Sequence, residues 1–298
     1  MTATPVVLTL GTFDGVHRGH QALLGLARRR ADALKGEVLA AAFERPPRLY
    51  FRPETAVPRL TSPEEKEEWL RRFGADRVEH LRFGPGLARM SAREFLDARV
   101  IRLWKAREVV VGFNFCFGRG REGTPVFLKS EGARRGLRAH AVPALMERGR
   151  PVSSGGIRER LAAGDLRAAH RWLGHPYTLI GEVCRGRGQG RKWGFPTANL
   201  VADSEKLLPP GVYAVWVDLP NGVRRGGVLN IGVRPTVERG GNRTAEVHIF
   251  DYTGLLPGRR LRIEWVAFLR QEMRFSSVAA LRRQIADDAA RARRLLFK

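Results

Sequence analysis

The sequence predicts an α/β domain with a doubly wound parallel sheet, followed by an antiparallel β-barrel and a C-terminal helix. In the first half, short apolar runs alternate with helix-start signals, which is typical of a parallel sheet. From about residue 175 to 268, strand-like runs are separated only by turns rich in Gly, Pro and Asn, which favours a barrel. We therefore predict two domains, residues 1–174 and 175–298.

The elements of the first half have separate signals. Apolar runs suited to buried strands lie at 6–10, 37–43 and 107–113. Residues 62–65 (SPEE) and 91–94 (SARE) have the pattern of a capping box, and the second box opens a helix that we expect to reach about Trp104.

The second half begins after a connecting helix predicted within 164–176. Its strand-like runs lie at 176–184, 211–219, 226–231, 245–250 and 261–269. A last helix is predicted at 277–296, with an apolar stripe formed by Val278, Leu281, Ile285 and Leu295.

The 298 residues have a net charge of +23, and the 53 basic residues include only 7 lysines. Such a charge attracts polyanions. Nucleotide substrates, nucleic acid and a general preference for arginine on solvated faces are all compatible with it, because the arginines are spread along the whole chain.

Cysteine usage and the chain start both bear on location. Cys116 and Cys184 lie far apart and form no metal-ligand cluster, which favours a reducing cytoplasm. No run approaches the roughly 20 apolar residues of a membrane span. The first residues are typical of a strand and not of a signal peptide. We expect a cytoplasmic protein.

The segment GTFDGVHRGH, residues 11–20, follows the first predicted strand directly. We expect a helix to begin near Gln21, and a helix N-terminus binds phosphate through its free N–H groups and its dipole. His17 and His20 are spaced to reach one triphosphate and to stabilise charge that develops on the α-phosphate. The alternatives are an ordinary polar helix start and a metal site, although a metal site lacks further Cys or His ligands nearby.

A second glycine-rich segment, residues 186–199 (GRGQGRKWGFPTAN), presents N–H groups and cations to phosphate. Thr197 and Asn199 add oxygen atoms that suit Mg²⁺. The segment lacks the spacing of a P-loop. On the glycines alone, a flexible surface turn is the alternative.

The HxGH pattern at 17–20 resembles the nucleotidylyltransferase superfamily, whose domain is Rossmann-like. The full segment resembles the adenylyltransferase half of the bifunctional riboflavin kinase/FMN adenylyltransferase family, as do 59–70, 111–121 and 152–158. The resemblance implies that His17 and His20 are catalytic in adenylyl transfer. It also implies ATP contacts from Gly11, Phe13, Asp14, Gly15, Gly19, Asn114, Ser153, Ser154 and Arg158.

Three positions depart from this family pattern. The family usually has threonine where Gly155 stands, often arginine where Gly156 stands, and a histidine where Pro46 stands. These departures motivate an alternative function, a riboflavin kinase with a weak or inactive adenylyltransferase domain.

The string GFPTAN at 194–199 resembles the signature of riboflavin kinase, and 210–214 and 227–236 resemble further strings of that family. The resemblance implies that Glu246 is the general base that takes the proton of the riboflavin 5′-hydroxyl. It implies ATP contacts from Gly186, Gly190, Lys192, Gly194, Thr197 and Asn199, the last two also as Mg²⁺ ligands, and flavin contacts from Arg270, Glu272 and Phe275.

Together the two resemblances imply an enzyme that uses MgATP to convert riboflavin to FMN, and then converts FMN to FAD with release of pyrophosphate. The expected partners are riboflavin, FMN, FAD and ATP, with no membrane and no specific nucleic acid. Four phenylalanines are candidates for flavin packing, or for the core: Phe13, Phe113, Phe115 and Phe117.

Overall fold

A computed structural model describes residues 4–186, 190, 194–233 and 243–298. The chain divides into two compact units. The first unit contains Met1–Val57 and Lys66–Ser154, and the second contains Pro58–Glu65 and Gly155–Lys298. A short piece of the first half, residues 58–65, thus belongs to the second unit, and the boundary at residue 174 stays a prediction.

The first unit is built on a five-stranded parallel sheet of order β3-β2-β1-β4-β5. Its strands are β1 (Val6–Gly11), β2 (Glu37–Phe43), β3 (Arg77–Leu81), β4 (Ala106–Gly112) and β5 (Arg138–Val142), with a small hairpin β6 (Met146–Glu147) and β7 (Arg150–Pro151). Its helical segments are α1 (Arg18–Ala33), α2 (Arg48–Phe51), α3 (Pro63–Arg72), α4 (Pro85–Arg89), α5 (Ala92–Phe95), a π-helix (Leu96–Leu103), α6 (Pro125–Ala133) and 3₁₀ turns at Pro53–Thr55 and Arg119–Arg121. The helix α3 begins in residues 58–65.

Both faces of this sheet are covered. Leu8 and Leu10 of β1 pack in one buried cluster, with Leu96 of the π-helix. Val7 packs in another cluster, with Leu24 of α1. Successive side chains of a strand point to opposite faces, so the predicted doubly wound sheet is confirmed.

The second unit contains a closed antiparallel barrel of order β10-β11-β12-β9-β8-β13. Its strands are β8 (Thr178–Cys184), β9 (Ala198–Ala202), β10 (Gly211–Asp218), β11 (Arg224–Val233), β12 (Arg243–Ile249) and β13 (Arg260–Arg270), and its helices are α7 (Ser154–Ala162), α8 (Leu166–Leu173) and α9 (Val278–Leu296). Val215, Leu229, Val247 and Ile263 are fully buried and fill the barrel. The predicted barrel with a C-terminal helix is confirmed.

Three sequence expectations need correction. The helix expected near Gln21 begins at Arg18. The apolar stripe predicted for α9 is wrong at Val278, whose side chain is 54% exposed. The buried residues of this helix are instead Asp288, Ala292 and Leu296, because its C-terminal half packs on the barrel. Strands β3, β5 and β9 were not predicted.

Both predicted capping boxes are confirmed. Ser62 Oγ accepts from the Glu65 N–H, and the Glu65 carboxylate accepts from the Ser62 N–H at 2.9 Å. Ser91 and Glu94 make the same reciprocal pair. Within the described part of the chain, no helix is both long and apolar enough to cross a membrane.

Candidate active sites

The turn after β1 has a strained backbone at the carboxyl edge of the parallel sheet. Phe13 and Val16 have φ of 52° and 36°, and Gly15 has φ of 81°. Such angles are uncommon for residues other than glycine. The turn is held by the Val16 N–H, which donates to the Phe13 carbonyl at 3.1 Å, and by Ser154 Oγ, which donates to the Asp14 carbonyl at 2.8 Å. Ser154 is thereby placed beside the predicted phosphate turn.

The two histidines of this turn are stacked at the start of α1. The ring centroids of His17 and His20 lie 3.7 Å apart, and the rings are inclined by 19°. A Cβ atom at Gly19 would lie 3.1 Å from His17 Cε1, so a larger residue would crowd the ring. The buried Phe13 ring meets His20 edge-on at 5.2 Å. The structure therefore brings His17, Gly19 and His20 together at the start of α1.

His20 is held in its neutral form. Burial, then the charges of His17 and Lys66, lower its pKa well below the ordinary histidine value of 6.5. Lys66 itself is buried and donates from Nζ to the Phe43 carbonyl, at the end of β2, at 2.8 Å. His20 Nδ1 is buried without a hydrogen-bond partner. Binding of an anion beside these groups would favour the uptake of a proton by His20.

Most of the phenylalanines proposed for flavin packing belong to the core. Phe13 and Phe117 are buried, and Phe115 packs against the same cluster as Phe117. Only Phe113 presents a large exposed ring, with 55% of its surface accessible. Asn114, beside it, is also exposed.

An aromatic cluster that the sequence analysis missed lies where β2 and β3 end. The centroids of Tyr50 and Phe83 lie 5.6 Å apart, and those of Phe51 and Phe83 lie 5.8 Å apart. Tyr50 and Phe51 are 46% and 64% exposed. The clue in the sequence was the pair of aromatic residues, Tyr50 and Phe51, just after the FERPP segment at 43–47.

The remaining predicted residues of the serine-rich motif are at the start of α7. Ser153 and Gly155 are exposed. Arg158 lies in the second unit, where Nε donates to the Pro58 carbonyl at 2.7 Å. A Cβ at Gly156 would lie only 2.5 Å from Trp172 Cζ3, so the Trp172 ring explains why this position carries glycine.

Glu246 lies in a row of polar residues that crosses three strands of the barrel. It pairs directly with Asn199 of β9 on one side and with Asn230 of β11 on the other. Its neighbours Ala245 and Val247 are buried in the barrel, so Glu246 points outward with the two asparagines. Asn230 was in a family-like string but was not predicted as a site residue.

The glycines of the second segment approach this row closely. A Cβ at Gly186 would overlap the Asn199 amide nitrogen, at 2.0 Å, and a Cβ at Gly190 would lie 3.1 Å from Thr197 Oγ1. Only glycine leaves room for these side chains. Gly194 has φ of 87°. Lys192, Pro235 and Thr236 lie outside the described residues.

The donor set fits Mg²⁺. The Thr197 hydroxyl, the Asn199 amide and the Glu246 carboxylate supply hard oxygen atoms, the ligands that Mg²⁺ takes together with water and substrate phosphates. Asn199 and Glu246 are register partners. Among the described residues, no group of three or more His, Cys, Asp or Glu side chains is arranged to hold a metal.

The predicted flavin residues lie at the end of β13 and in the segment after it. Arg270 lies at the same level of the barrel as Glu246 and Asn230. Asn230 pairs with Val212 of β10, and Val212 pairs in turn with Arg270. The Arg270 guanidinium is bound to Asp288 of α9 at 2.8 Å and lies 5.7 Å from the Phe275 ring centroid. Glu272 Oε1 lies 2.9 Å from the place that a Cβ at Gly232 would occupy, so it faces the same side of the barrel as Glu246.

A cavity of about 540 Å³ opens beside Asn199. Its walls combine apolar strand residues with polar groups that include Cys184, Ser204, Lys206 and Arg243. This volume is in the range of small-molecule sites.

Comparisons with known proteins agree with this geometry. The family model for FAD synthetase matches residues 1–156, and the family model for riboflavin kinase matches residues 173–296. A crystal structure from Streptococcus pneumoniae, described as a macrolide-efflux protein, has a TM-score of 0.87 and 29% identity, and the match covers 98% of this chain and 95% of that one. It shares the whole fold.

Two curated relatives carry the name bifunctional riboflavin kinase/FMN adenylyltransferase. The one from Pseudomonas fluorescens is 40% identical, over 97% of this chain and 92% of the relative. The one from Escherichia coli K12 is 37% identical, over 96% and 91%. With both family models matched and such identity along nearly the whole length, this chain belongs to the bifunctional riboflavin kinase/FMN adenylyltransferase family.

Proposed function

We propose that the second unit phosphorylates riboflavin to FMN at Glu246, and that the first unit adenylylates FMN to FAD at His17 and His20. The observation that carries the proposal is the row of Asn199, Glu246 and Asn230 beside the glycine-rich segment. The alternative of an inactive adenylyltransferase domain finds no support, because the FAD synthetase model matches that half of the chain.

In the kinase reaction, the riboflavin 5′-hydroxyl oxygen attacks the γ-phosphorus of ATP, and the bond to ADP breaks. Glu246 accepts the hydroxyl proton, and Asn199 and Asn230 on either side limit the positions that its carboxylate can take. Mg²⁺, held by Thr197 and Asn199, would neutralise phosphate charge. We assign the nucleotide to the cavity beside Asn199, and the flavin to Arg270, Glu272 and Phe275.

In the adenylyl transfer, a phosphate oxygen of FMN attacks the α-phosphorus of ATP, and the bond to pyrophosphate breaks. The N-terminal N–H groups of α1 and the stacked His17 and His20 rings donate to the phosphates as negative charge shifts. Ser154 holds the turn in shape. The aromatic cluster of Tyr50, Phe51 and Phe83 offers ring faces and edges against which the isoalloxazine ring could pack.

Other partners follow from the same chemistry. ATP serves both reactions, and riboflavin, FMN and FAD are the flavins bound. We expect neither a membrane nor a specific nucleic acid as a partner. The thiols of Cys116 and Cys184 are free, which supports a reducing cytoplasm as the location.

The test is chromatography of flavins after the purified protein has been incubated with riboflavin, Mg²⁺ and ATP. FMN followed by FAD is the expected result. FMN that accumulates without FAD would contradict the adenylyltransferase assignment, and unchanged riboflavin would contradict both.

Two variants assign the sites. Glu246→Gln should slow FMN formation by about 100- to 10,000-fold, the usual contribution of a general base, and should leave FAD synthesis from supplied FMN intact. His20→Ala should slow FAD synthesis by about 100- to 1,000-fold and spare the kinase. Loss of both activities in either folded variant would contradict the two-site assignment.

A further inference from the structure

His248 lies on β12 two residues beyond Glu246 and faces the same side of the barrel. Its Nδ1 lies 2.8 Å from the Pro196 carbonyl oxygen. A carbonyl only accepts, so Nδ1 must carry the proton and donate. The bond joins the base-bearing strand to the segment that leads into Thr197 and Asn199.

The contact comes where the backbone ladder between these strands stops. Strand β9 pairs with β12 at only three positions, and the last pair is Val247 with Ala198. Pro196 has no N–H with which to extend the ladder. The His248 side chain therefore supplies a hydrogen bond just beyond the last backbone pair.

Two aromatic rings fix the direction of the His248 ring. Phe250 lies 5.8 Å away and Phe195 lies 5.6 Å away, both inclined by more than 70°. Phe250 is buried against α9, and its N–H donates to the Gly226 carbonyl at 2.9 Å. Phe250 thus holds the His248 ring on the side of the barrel, while His248 Nδ1 bonds to the Pro196 carbonyl.

We propose that His248 is a positioning residue of the kinase site, which holds Thr197 and Asn199 in register with Glu246 through the Pro196 carbonyl. The proposal rests on the kinase function proposed above. It assigns His248 no contact with the reacting atoms. Loss of this hydrogen bond should weaken the binding of MgATP, whose phosphates and metal depend on Thr197 and Asn199. The binding of riboflavin should be unchanged.

The experiment is steady-state kinase kinetics on the full chain with His248→Ala, His248→Asn and His248→Gln. A lost hydrogen bond of ordinary strength should raise the KM for MgATP by about 5- to 10-fold in His248→Ala. The KM for riboflavin should stay within about twofold, since only the register of the loop has changed.

The Asn and Gln variants are a matched pair. The amide nitrogen of asparagine lies near the position of Nδ1, and that of glutamine near Nε2, so Asn should restore the KM for MgATP and Gln should not. Synthesis of FAD from supplied FMN should be equal in all four proteins, which controls for folding of the first unit, and the nearly unchanged KM for riboflavin controls for folding of the barrel.

An unchanged KM for MgATP in His248→Ala, or equal values for the Asn and Gln variants, would overturn the inference while the kinase assignment stands. A wild-type protein that forms no FMN would overturn the kinase assignment, and the inference with it.

Discussion

His20 shows how the state of one residue depends on a distant part of the sequence. The HxGH spacing predicted only that His17 and His20 could reach one triphosphate. The stacking of the two rings and the charge of Lys66, which comes from another helix, are seen only in the structure. A neutral ring can donate one N–H to phosphate without the cost of burying a cation. Removal of Lys66 should therefore change the pH at which His20 takes up a proton.

The first prediction concerns Lys66→Met. Its pH dependence follows from the lowered pKa of His20: the neutral ring persists above that pKa and is lost as the pH falls through it. Without the charge of Lys66, the acid limb of kcat/KM for FAD synthesis should move toward neutral pH. Lys66→Arg should keep the wild-type profile, and an identical limb in the Met variant would contradict the electrostatic role.

A second prediction uses neighbouring glycines of α7. Gly156→Ala should lower the free energy of unfolding by about 1–3 kcal/mol, because its Cβ would lie 2.5 Å from the buried Trp172 ring. Gly155→Ala is the matched control, since Gly155 is exposed in the same helix and should be neutral or stabilising. Denaturant unfolding measures both, and equal effects would contradict the packing explanation.

At the scale of elements, residues 58–65 complete the barrel unit. Arg59 forms a parallel bridge with Lys206. Lys206 Nζ lies 2.7 Å from Glu65 Oε2, with side-chain exposures of 1% and 0%, and also donates to the Leu60 carbonyl at 2.6 Å. The other Glu65 oxygen accepts from the Ile180 N–H at 2.8 Å. Glu65 and Lys206 thus form a buried, hydrogen-bonded ion pair. Removal of either partner alone should destabilise the fold, because the other charge would stay buried without a counter-ion.

The third prediction is that Glu65→Gln lowers the free energy of unfolding by about 3–5 kcal/mol, because Lys206 would stay buried without its counter-ion. The control is Glu64→Gln, one residue earlier, where the carboxylate pairs with Arg260 on the surface and contributes about 0–1 kcal/mol. The double variant, Glu65→Gln with Lys206→Met, should lose less free energy of unfolding than the sum of the losses in the two single variants. If denaturant unfolding showed that the two losses add, the two side chains would not stabilise each other and the prediction would be wrong.

Elements with a strong local pattern were predictable from sequence, and the others were not. The buried strands β1, β2 and β4 each contain a continuous apolar run and were predicted. The missed strands β3 and β5 each contain at least one charged residue and a histidine, and β9 begins with the last two residues of the GFPTAN motif. Their pairing energy comes from neighbouring strands, which a local pattern does not show.

The same distinction holds for the sites. His17, His20 and Glu246 lie in motifs that the sequence displays, whereas Lys66 and His248 act through contacts with segments far along the chain. Those contacts exist only in the folded state. The departures at Gly155 and Gly156 also looked alike in the sequence, but Gly155 is exposed whereas Gly156 is buried against the Trp172 ring.

At the scale of the whole molecule, the groups that we expect to act on the reacting atoms of the two transfers belong to different units. His17, His20, Lys66 and Ser154 belong to the first unit, and Asn199, Asn230 and Glu246 belong to the second. FMN formed by one molecule is therefore expected to serve as substrate for another.

A mixing experiment tests this fourth prediction. His20→Ala alone should stop at FMN, and Glu246→Gln alone should leave riboflavin unchanged. An equimolar mixture of the two variants, supplied with riboflavin, Mg²⁺ and ATP, should produce FAD in chromatographic assays. FMN that accumulates without FAD in the mixture would show that the intermediate does not exchange between molecules.

The membership of residues 58–65 in the barrel unit also constrains recombination between relatives. A chimera joined at the predicted boundary would take Glu65 from one parent and Lys206 from the other, and would inherit the buried pair only if both parents encode it. Exchanging the octapeptide together with the barrel would keep the pair intact. A gene-shuffling library should accordingly yield more folded kinases when these eight codons travel with the 3′ half.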